Sequence, residues 1–566
     1  MMAQCQGRLS RRYIALIVLV GVGYFLYHNL QPPHYMRTTQ VGAVKYLNSS
    51  YDWSKNPVYF PVEDIKSPPA TDQSEKLPPV QHQWSESSEN DVSLARKAAV
   101  KKAFVKSWNA YKTYAWPQDE LKPLSRKGKQ SFSGWSAQIV DALDTLWLLD
   151  MQADFKLAVE QVALIDWATT SDEFLNLFEV TIRHLGGLLA AYDLSGEHVL
   201  LAKAIELGDM LYATFDTPNR LPSHWLYFAK AKEGKQTADD SMSGAAGCSM
   251  GLEFTRLSQI TGDPKYYDAT ERVKQFIYRN QNETKLPGLW PHTMNYRKET
   301  VTASMFTVGA GADSLYEYLP KMHAILGGLD PEYVQMTTLA LDTATKHLLY
   351  KPINPNDTNI LMAGNVVASN GKIELTTEMQ HLTCFIGGTY GLAGKLLSRD
   401  DFVELGSRLT AGCVWAYDSF PTNIMPEIAE LKPCPSIDGE CRYEDLKPAS
   451  SQLPPGFTRV RDPRYLLRPE AIESVFYMWR ITGDELWRDA AWRMWEGIVK
   501  EAENDLAFAS VTDVRYEGST QDDAMETFWM SETLKYFWLI FDDHKVLNLD
   551  DWVLNTEAHP FKRPSS

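Results

Sequence analysis

The stretch LLRPEAIESVFYMWRITGD, Leu466–Asp484, opens on Arg468 and Pro469, places Glu470 and Glu473 next, and runs apolar until a Gly-Asp pair. Proline fits the first turn of a helix but not its interior, and Gly followed by Asp suits a left-handed stop and a fresh start. The closing mark recurs. It reads LSGE at Leu194–Glu197, ITGD at Ile260–Asp263, and LSRD at Leu397–Asp400 as a degenerate copy. From Ser93 to Phe541 the apolar segments have helical spacing, about 14 of them, and strand signals are sparse. The expectation is an all-α fold of about seven helical hairpins.

The helices that lead into these marks carry acids in their early turns. Glu179 stands in LFEVTIR, Glu253 in GLEFTR, Asp313 in GADSLYEYL, Glu470 and Glu473 in the opening stretch, and Glu532 in FWMSETLKY. One carboxylate at the start of a helix needs no further explanation, because it suits the positive end of the dipole. Several at equivalent positions in a ring of hairpins would converge on one opening. Two carboxyl groups flanking a bond, one protonated and one ionised, are what glycoside hydrolysis requires. Arg183, four residues after Glu179, shares its helical face and could hold that carboxylate or grip a hydroxyl. Composition and spacing reach an acid-lined helical toroid; they do not name a sugar.

At 566 residues and 44% apolar the chain can bury a large core, and a net charge of -16 without a basic stripe argues against nucleic acid. Arg8, Arg11 and Arg12 precede the 15-residue run Tyr13–Tyr27. That is short of the ~20 residues a comfortable span takes, but no A-x-A-type cleavage site follows. Residues 1–12 read as a cytosolic tail and 13–28 as a type II signal anchor in preference to a cleaved signal, with the body lumenal. Gln31–Val92 holds eight prolines and few periodic apolar positions, so residues 29–92 read as a disordered stem. The folded domain is expected over 93–566.

Sequons at Asn48, Asn282 and Asn356 lie in polar contexts and agree with a lumenal body. Beyond Cys5 there are five cysteines. Cys434 and Cys441 bracket a short loop and could close it; Cys384 with Cys413 would then tie neighbouring helical segments and leave Cys248 free. Spacing alone leaves the pairing open.

The segments FEVTIRHLGGLLAAYDLSGE, LEFTRLSQITGD, GADSLYEYLPK, HLTCFIGG, LLRPEAIESVFYMWRITGD, METFWMSETLKY and NTEAHP, in this order, resemble the class I α-1,2-mannosidases, glycoside hydrolase family 47. The resemblance covers Ser93 to Phe561. It implies an (α/α)7 barrel closed by a C-terminal plug, in agreement with the hairpin count, and an inverting mechanism. By motif position it implies Glu179 as general acid, Glu470 as general base and Asp313 as a third essential carboxylate. Arg183, Glu253, His381, Arg468, Glu473, Phe528, Glu532 and Glu557 would bind substrate, with Phe528 as a stacking platform. Thr556 would ligate a calcium ion through its carbonyl and hydroxyl oxygens, and Cys384 would pair with Cys413.

Two positions separate subfamilies or depart from the pattern. Gly311 stands where the ER-type enzymes carry an arginine, which implies a more open site of the Golgi and fungal kind, although a tight turn also favours glycine. Thr527 replaces the usual serine and keeps the hydroxyl. The resemblance therefore implies trimming of high-mannose N-glycans, Man9GlcNAc2 toward Man5GlcNAc2, by a monomer held in the Golgi or ER membrane. The alternatives are a mannose-recognising, degradation-targeting relative with weak or no hydrolysis, and another helical-toroid glycosidase lacking the plug.

Overall fold

The computed structural model describes residues 44–70, 76–441 and 453–564. Residues 13–28, read as an anchor, lie outside them. No helix among the described residues is long and apolar enough to cross a membrane.

Fourteen helices carry the architecture: α1 (Asp91–Tyr114), α2 (Leu143–Leu148), α3 (Gln152–Val162), α4 (Gly186–Ser195), α5 (His198–Tyr212), α6 (Gly251–Thr261) and α7 (Lys265–Asn280). There follow α8 (Asp313–Ile325), α9 (Pro331–His347), α10 (Phe385–Leu396), α11 (Asp400–Ser419), α12 (Glu470–Thr482), α13 (Leu486–Ala502) and α14 (Leu534–Phe541). Each even-numbered helix packs on the next in sequence, and α14 packs back on α1, which makes seven pairs. The even-numbered helices also touch one another in order, and Lys535 of α14, reaching Asp144 of α2 at 2.8 Å, closes the inner ring. Burial explains which helix goes where. All eight residues of α14, LKYFWLIF, are buried, whereas the outer helix α7 leaves Arg272, Gln275, Tyr278 and Arg279 at least partly exposed.

The turns that leave the inner helices are short. Gly196, Gly262 and Gly483 cap α4, α6 and α12 in the left-handed conformation, as the repeated mark predicts. Asp263 and Asp484 then accept from the amides of Lys265 and Leu486 at the next helix start. In the degenerate copy, Ser398 takes the left-handed position at φ +54°. The connections that enter the inner helices are long. The acids in the first turns of those helices therefore gather at the long-loop rim.

Two expectations need correction. The fold is not purely helical, because the long loops hold short antiparallel strands. One three-stranded sheet comprises Glu378–Gln380, Ile428–Leu431 and Phe457–Asp462, and another joins Met305–Phe306 to the hairpin Asn365–Ser369/Lys372–Thr376. Most of these runs are too short for alternation to show in sequence. The stem expected over 29–92 is also not solvated throughout. The amides of Tyr59 and Phe60 donate to Asp216 at 2.8 and 2.9 Å, Leu47 pairs with the Ala163 carbonyl, and Val80, Gln81 and Trp53 are buried. Prolines suit such a strap, since each removes a donor that no ladder would satisfy.

Both disulfides form, Cys384–Cys413 and Cys434–Cys441, with Cα atoms 6.0 and 5.8 Å apart, and Cys248 is free. Asn48, Asn282 and Asn356 are all exposed.

Candidate active site

The first cluster grows from the Leu177–Glu179 turn, whose Glu179 amide is capped by the Asn176 side chain at 3.2 Å. The chain then widens into a π-helical turn, Val180–Leu185, before α4. Such single wide turns collect at functional sites because they re-aim side chains. Here Arg183 turns back on Glu179, Nε to Oε2 at 2.9 Å, and its Nη1 reaches Thr527 Oγ1 at 3.1 Å and Glu557 Oε2 at 2.8 Å. The hydroxyl kept at Thr527 is thus used. A second π-helical turn, Trp529–Thr533, follows Phe528 and carries Glu532.

The second cluster forms at the start of α12. His381 Nδ1 lies 2.8 Å from Glu470 Oε2, and its Nε2 lies 2.8 Å from the Tyr417 hydroxyl. Arg468 donates to Glu427 at 2.5 Å and stands 3.7 Å from Glu470 Oε1. Burial opposes ionisation of Glu470, yet the His381 hydrogen bond and the Arg468 charge win and hold it below the usual carboxylate range. Asp313 behaves oppositely. Burial, with Glu317 and Glu470 nearby, pushes it up to about 7 despite the Ser314 amide. The Phe528 ring joins the clusters, with the guanidinium carbons of Arg183 and Arg468 5.8 and 5.9 Å from its centroid.

The floor is the C-terminal hairpin, Trp552–Leu554 paired with Pro560–Lys562, whose tip is almost wholly buried. Asn555 donates to the Ile182 carbonyl at 3.0 Å and to Glu253 Oε1 at 2.8 Å, and Tyr318 donates to the same Glu253 oxygen at 2.8 Å. The Thr556 amide lies 3.3 Å from the Tyr318 hydroxyl. A Cβ on Gly186 would come within 2.7 Å of the Asn555 side chain, so the bare glycine lets the tip seat against the helix. Beneath the tip, His559 lies between Asp141 (3.0 Å) and Asp144 (2.9 Å), and Lys535 reaches Asp144 and the Ala558 carbonyl, each at 2.8 Å.

A model of the family described as glycosyl hydrolase family 47 matches residues 103–563. The chain belongs to glycosyl hydrolase family 47. It is 33% identical over 504 residues to a probable mannosyl-oligosaccharide α-1,2-mannosidase 1B of Aspergillus niger, which spans 84% of this chain and 93% of that one. It is 34% identical over 496 residues to a mannosyl-oligosaccharide α-1,2-mannosidase of Penicillium citrinum, covering 84% and 93%. Among solved structures, the α-1,2-mannosidase from Trichoderma reesei superposes with a TM-score of 0.76 at 30% identity, covering 83% of this chain and 99% of that one.

Within this family 47 site, the residues singled out from sequence fall into the clusters above. Glu473 is pushed well up by burial and Glu317, against the pull of Lys321 3.8 Å away. Glu532 is pushed up by burial and by Glu557, with which it shares a hydrogen bond. Glu253 rises to about 7 through burial, and its Oε2 has no hydrogen-bond partner among the described residues. This buried excess of carboxyl oxygens around Thr556 fits a hard divalent cation with oxygen ligands. Among the described residues no group of three or more His, Cys, Asp or Glu side chains is arranged to hold a metal alone.

Gly311 does not simply leave open space. It turns at φ +82°, and a Cβ there would lie 2.6 Å from Nε2 of His292, a ring placed 3.1 Å from the Ala310 carbonyl. The supporting residues Tyr318, Lys321 and Asn555 lie inside the quoted segments GADSLYEYLPK and NTEAHP without a role of their own, and Asp141, Glu427 and Tyr417 lie outside every quoted segment. Of the latter, Asp141 has a sequence signal, since it stands three before Asp144 in an otherwise apolar helical run.

Proposed function

We propose that the chain removes terminal α-1,2-linked mannose from high-mannose N-glycans with inversion at the anomeric carbon. The observation that carries this reading is the opposite setting of two carboxyl groups at one mouth. Glu470 is held ionised by His381 and Arg468, as a base that activates water must be, while Asp313 keeps its proton to about pH 7. Glu179, oriented by Arg183, would protonate the leaving oxygen. The raised Asp313 supports a second reading, in which it stores or passes that proton. Phe528 offers its ring to a sugar face between the two arginines. Thr556 would hold calcium through its carbonyl and hydroxyl oxygens, and bound there the ion would supply hydroxyl ligation that favours a distorted ring. We further infer a type II anchor over residues 13–28, a lumenal catalytic domain in the Golgi or ER, and a monomer.

The test is digestion of Man9GlcNAc2 by the purified lumenal part, followed by mass and linkage, with calcium and with EDTA. Proton NMR of the first mannose released reads its anomer. Calcium-dependent loss of several mannoses, each first appearing as the β-anomer, is expected. Tight glycan binding without turnover would instead make this a recognition protein, and a stop after one mannose would place it with the ER-type enzymes.

A further inference from the structure

The wall beside Glu179 carries aromatic surface that the reaction centre does not use. The strand Phe174–Asn176 runs directly into the Leu177–Glu179 turn and pairs antiparallel with Trp225–Tyr227. Leu175 sits opposite Leu226 and both are buried, so by the two-residue alternation of strands Phe174, Asn176, Trp225 and Tyr227 share the other face. Phe174 leaves 40% of its surface exposed. Its ring meets Trp225 edge-on at 5.1 Å and Tyr227 at 5.3 Å.

Two hydrogen bonds and one electrostatic interaction make this face continuous with the reaction centre. Asn176, on the same face, caps the Glu179 amide. The His224 ring lies edge-on to Trp225 at 4.6 Å and feels the charge of Glu179. Ser133 donates to Asp172 at 2.9 Å, which ties the loop bearing Phe132, the ring 5.1 Å from the Arg183 guanidinium, to the start of the strand. Asp172 and Glu173 stand exposed immediately before Phe174.

A general acid faces the glycosidic oxygen, and beyond that oxygen lies the leaving group. With Glu179 as the acid, this wall meets the rest of the oligosaccharide and not the mannose being cleaved. We propose that Phe174 and Trp225, flanked by Tyr227, form a subsite for a sugar of the leaving oligosaccharide beyond the one bonded to the scissile oxygen, with Asp172 and Glu173 accepting from its hydroxyls; this rests on the hydrolase reading given above. A pyranose has an apolar C–H face that suits an aromatic ring and a rim of hydroxyls that suits carboxylates. Lys230 adds an ammonium 3.9 Å from the Tyr227 ring centroid, so the wall offers both acceptors and a donor beside apolar rings, which suits the hydroxyls of a neutral saccharide.

The test compares Man9GlcNAc2 with an α-1,2-linked mannose disaccharide too short to reach the wall. In Phe174→Ala and in Trp225→Ala, the ratio of kcat/KM for the oligosaccharide to that for the disaccharide should fall about tenfold, mainly through KM. Phe174→Leu keeps the apolar volume without the ring and should show the same fall even if the alanine variants prove unstable. Leu486→Ala, an exposed residue on the opposite rim, should keep the parental ratio. An unchanged ratio, or equal loss on both substrates, would overturn the subsite while leaving the hydrolase reading intact. A parental enzyme inactive on both would overturn the two together.

Discussion

At the scale of single residues, the site works by giving similar carboxyl groups different surroundings. Glu470→Gln keeps size and hydrogen bonding to His381 but cannot take a proton from water. It should lower kcat by about two to four orders of magnitude and leave the melting temperature near that of the parent. Turnover at the parental rate by a folded variant would remove Glu470 from the base role. Asp313 gives a pH prediction whose sign follows from its raised position. If its proton is needed, activity is full below about 7 and falls as pH rises through that value, whereas the lowered Glu470 keeps the acid limb below the usual glutamate range. In Asp313→Asn the pH–rate profile should lose its alkaline fall; an unchanged limb would assign that titration elsewhere. Little of this was legible beforehand, because a carboxylate's surroundings are made by residues distant in sequence, such as His381 and Tyr417.

At the scale of elements, the C-terminal hairpin matters most, and His559 fixes it. Both ring nitrogens face carboxylates, so the imidazole carries two protons in the folded state. Burial lowers its pKa, but Asp144 and Asp141 win and raise it above its ordinary value. Burial works against Asp141 too, and His559 and Arg183 nonetheless hold it low. The depressed aspartate contributes stability above its unfolded value, roughly pH 4, and loses it as pH falls through the folded value; the raised histidine contributes fully below roughly 6.5 and loses it as pH rises through its folded value. The hairpin should therefore be held best between about 4 and 6.5. His559→Gln should cost about 3 kcal/mol, visible in calorimetric melts, and should abolish the alkaline decline. A decline that survives the substitution would place it in another group. The NTEAHP motif was legible as a plug through its family resemblance, but the partners of its histidine were not, since Asp141 and Asp144 lie more than four hundred residues away in sequence.

At the scale of the whole molecule, seven hairpins close a ring and a proline-rich strap crosses its outer helices. Trp53 is buried and the strap's amides are bonded to Asp216, Asp268 and Asp550. A chain beginning at Asp91 should thus melt several degrees below one beginning at residue 44, by calorimetry at matched calcium. Equal melting would show the strap to be ornamental to stability. Added calcium should raise the melting temperature of either chain, because an ion that binds only the folded plug shifts unfolding by mass action. No rise on titration from EDTA would argue against Thr556 as a ligand.

The helical class, the hairpin repeat and the acids at inner-helix starts were determined by the sequence itself. They follow from local causes: a spacing of 3.6, a left-handed glycine, and a carboxylate near a helix dipole. The strap's docking, the short strands of the rim, the imidazole beside Gly311 and the split between an ionised Glu470 and a protonated Asp313 were decided only by tertiary structure. Each depends on burial or on charges brought together from distant parts of the chain, and neither quantity exists until the ring has closed.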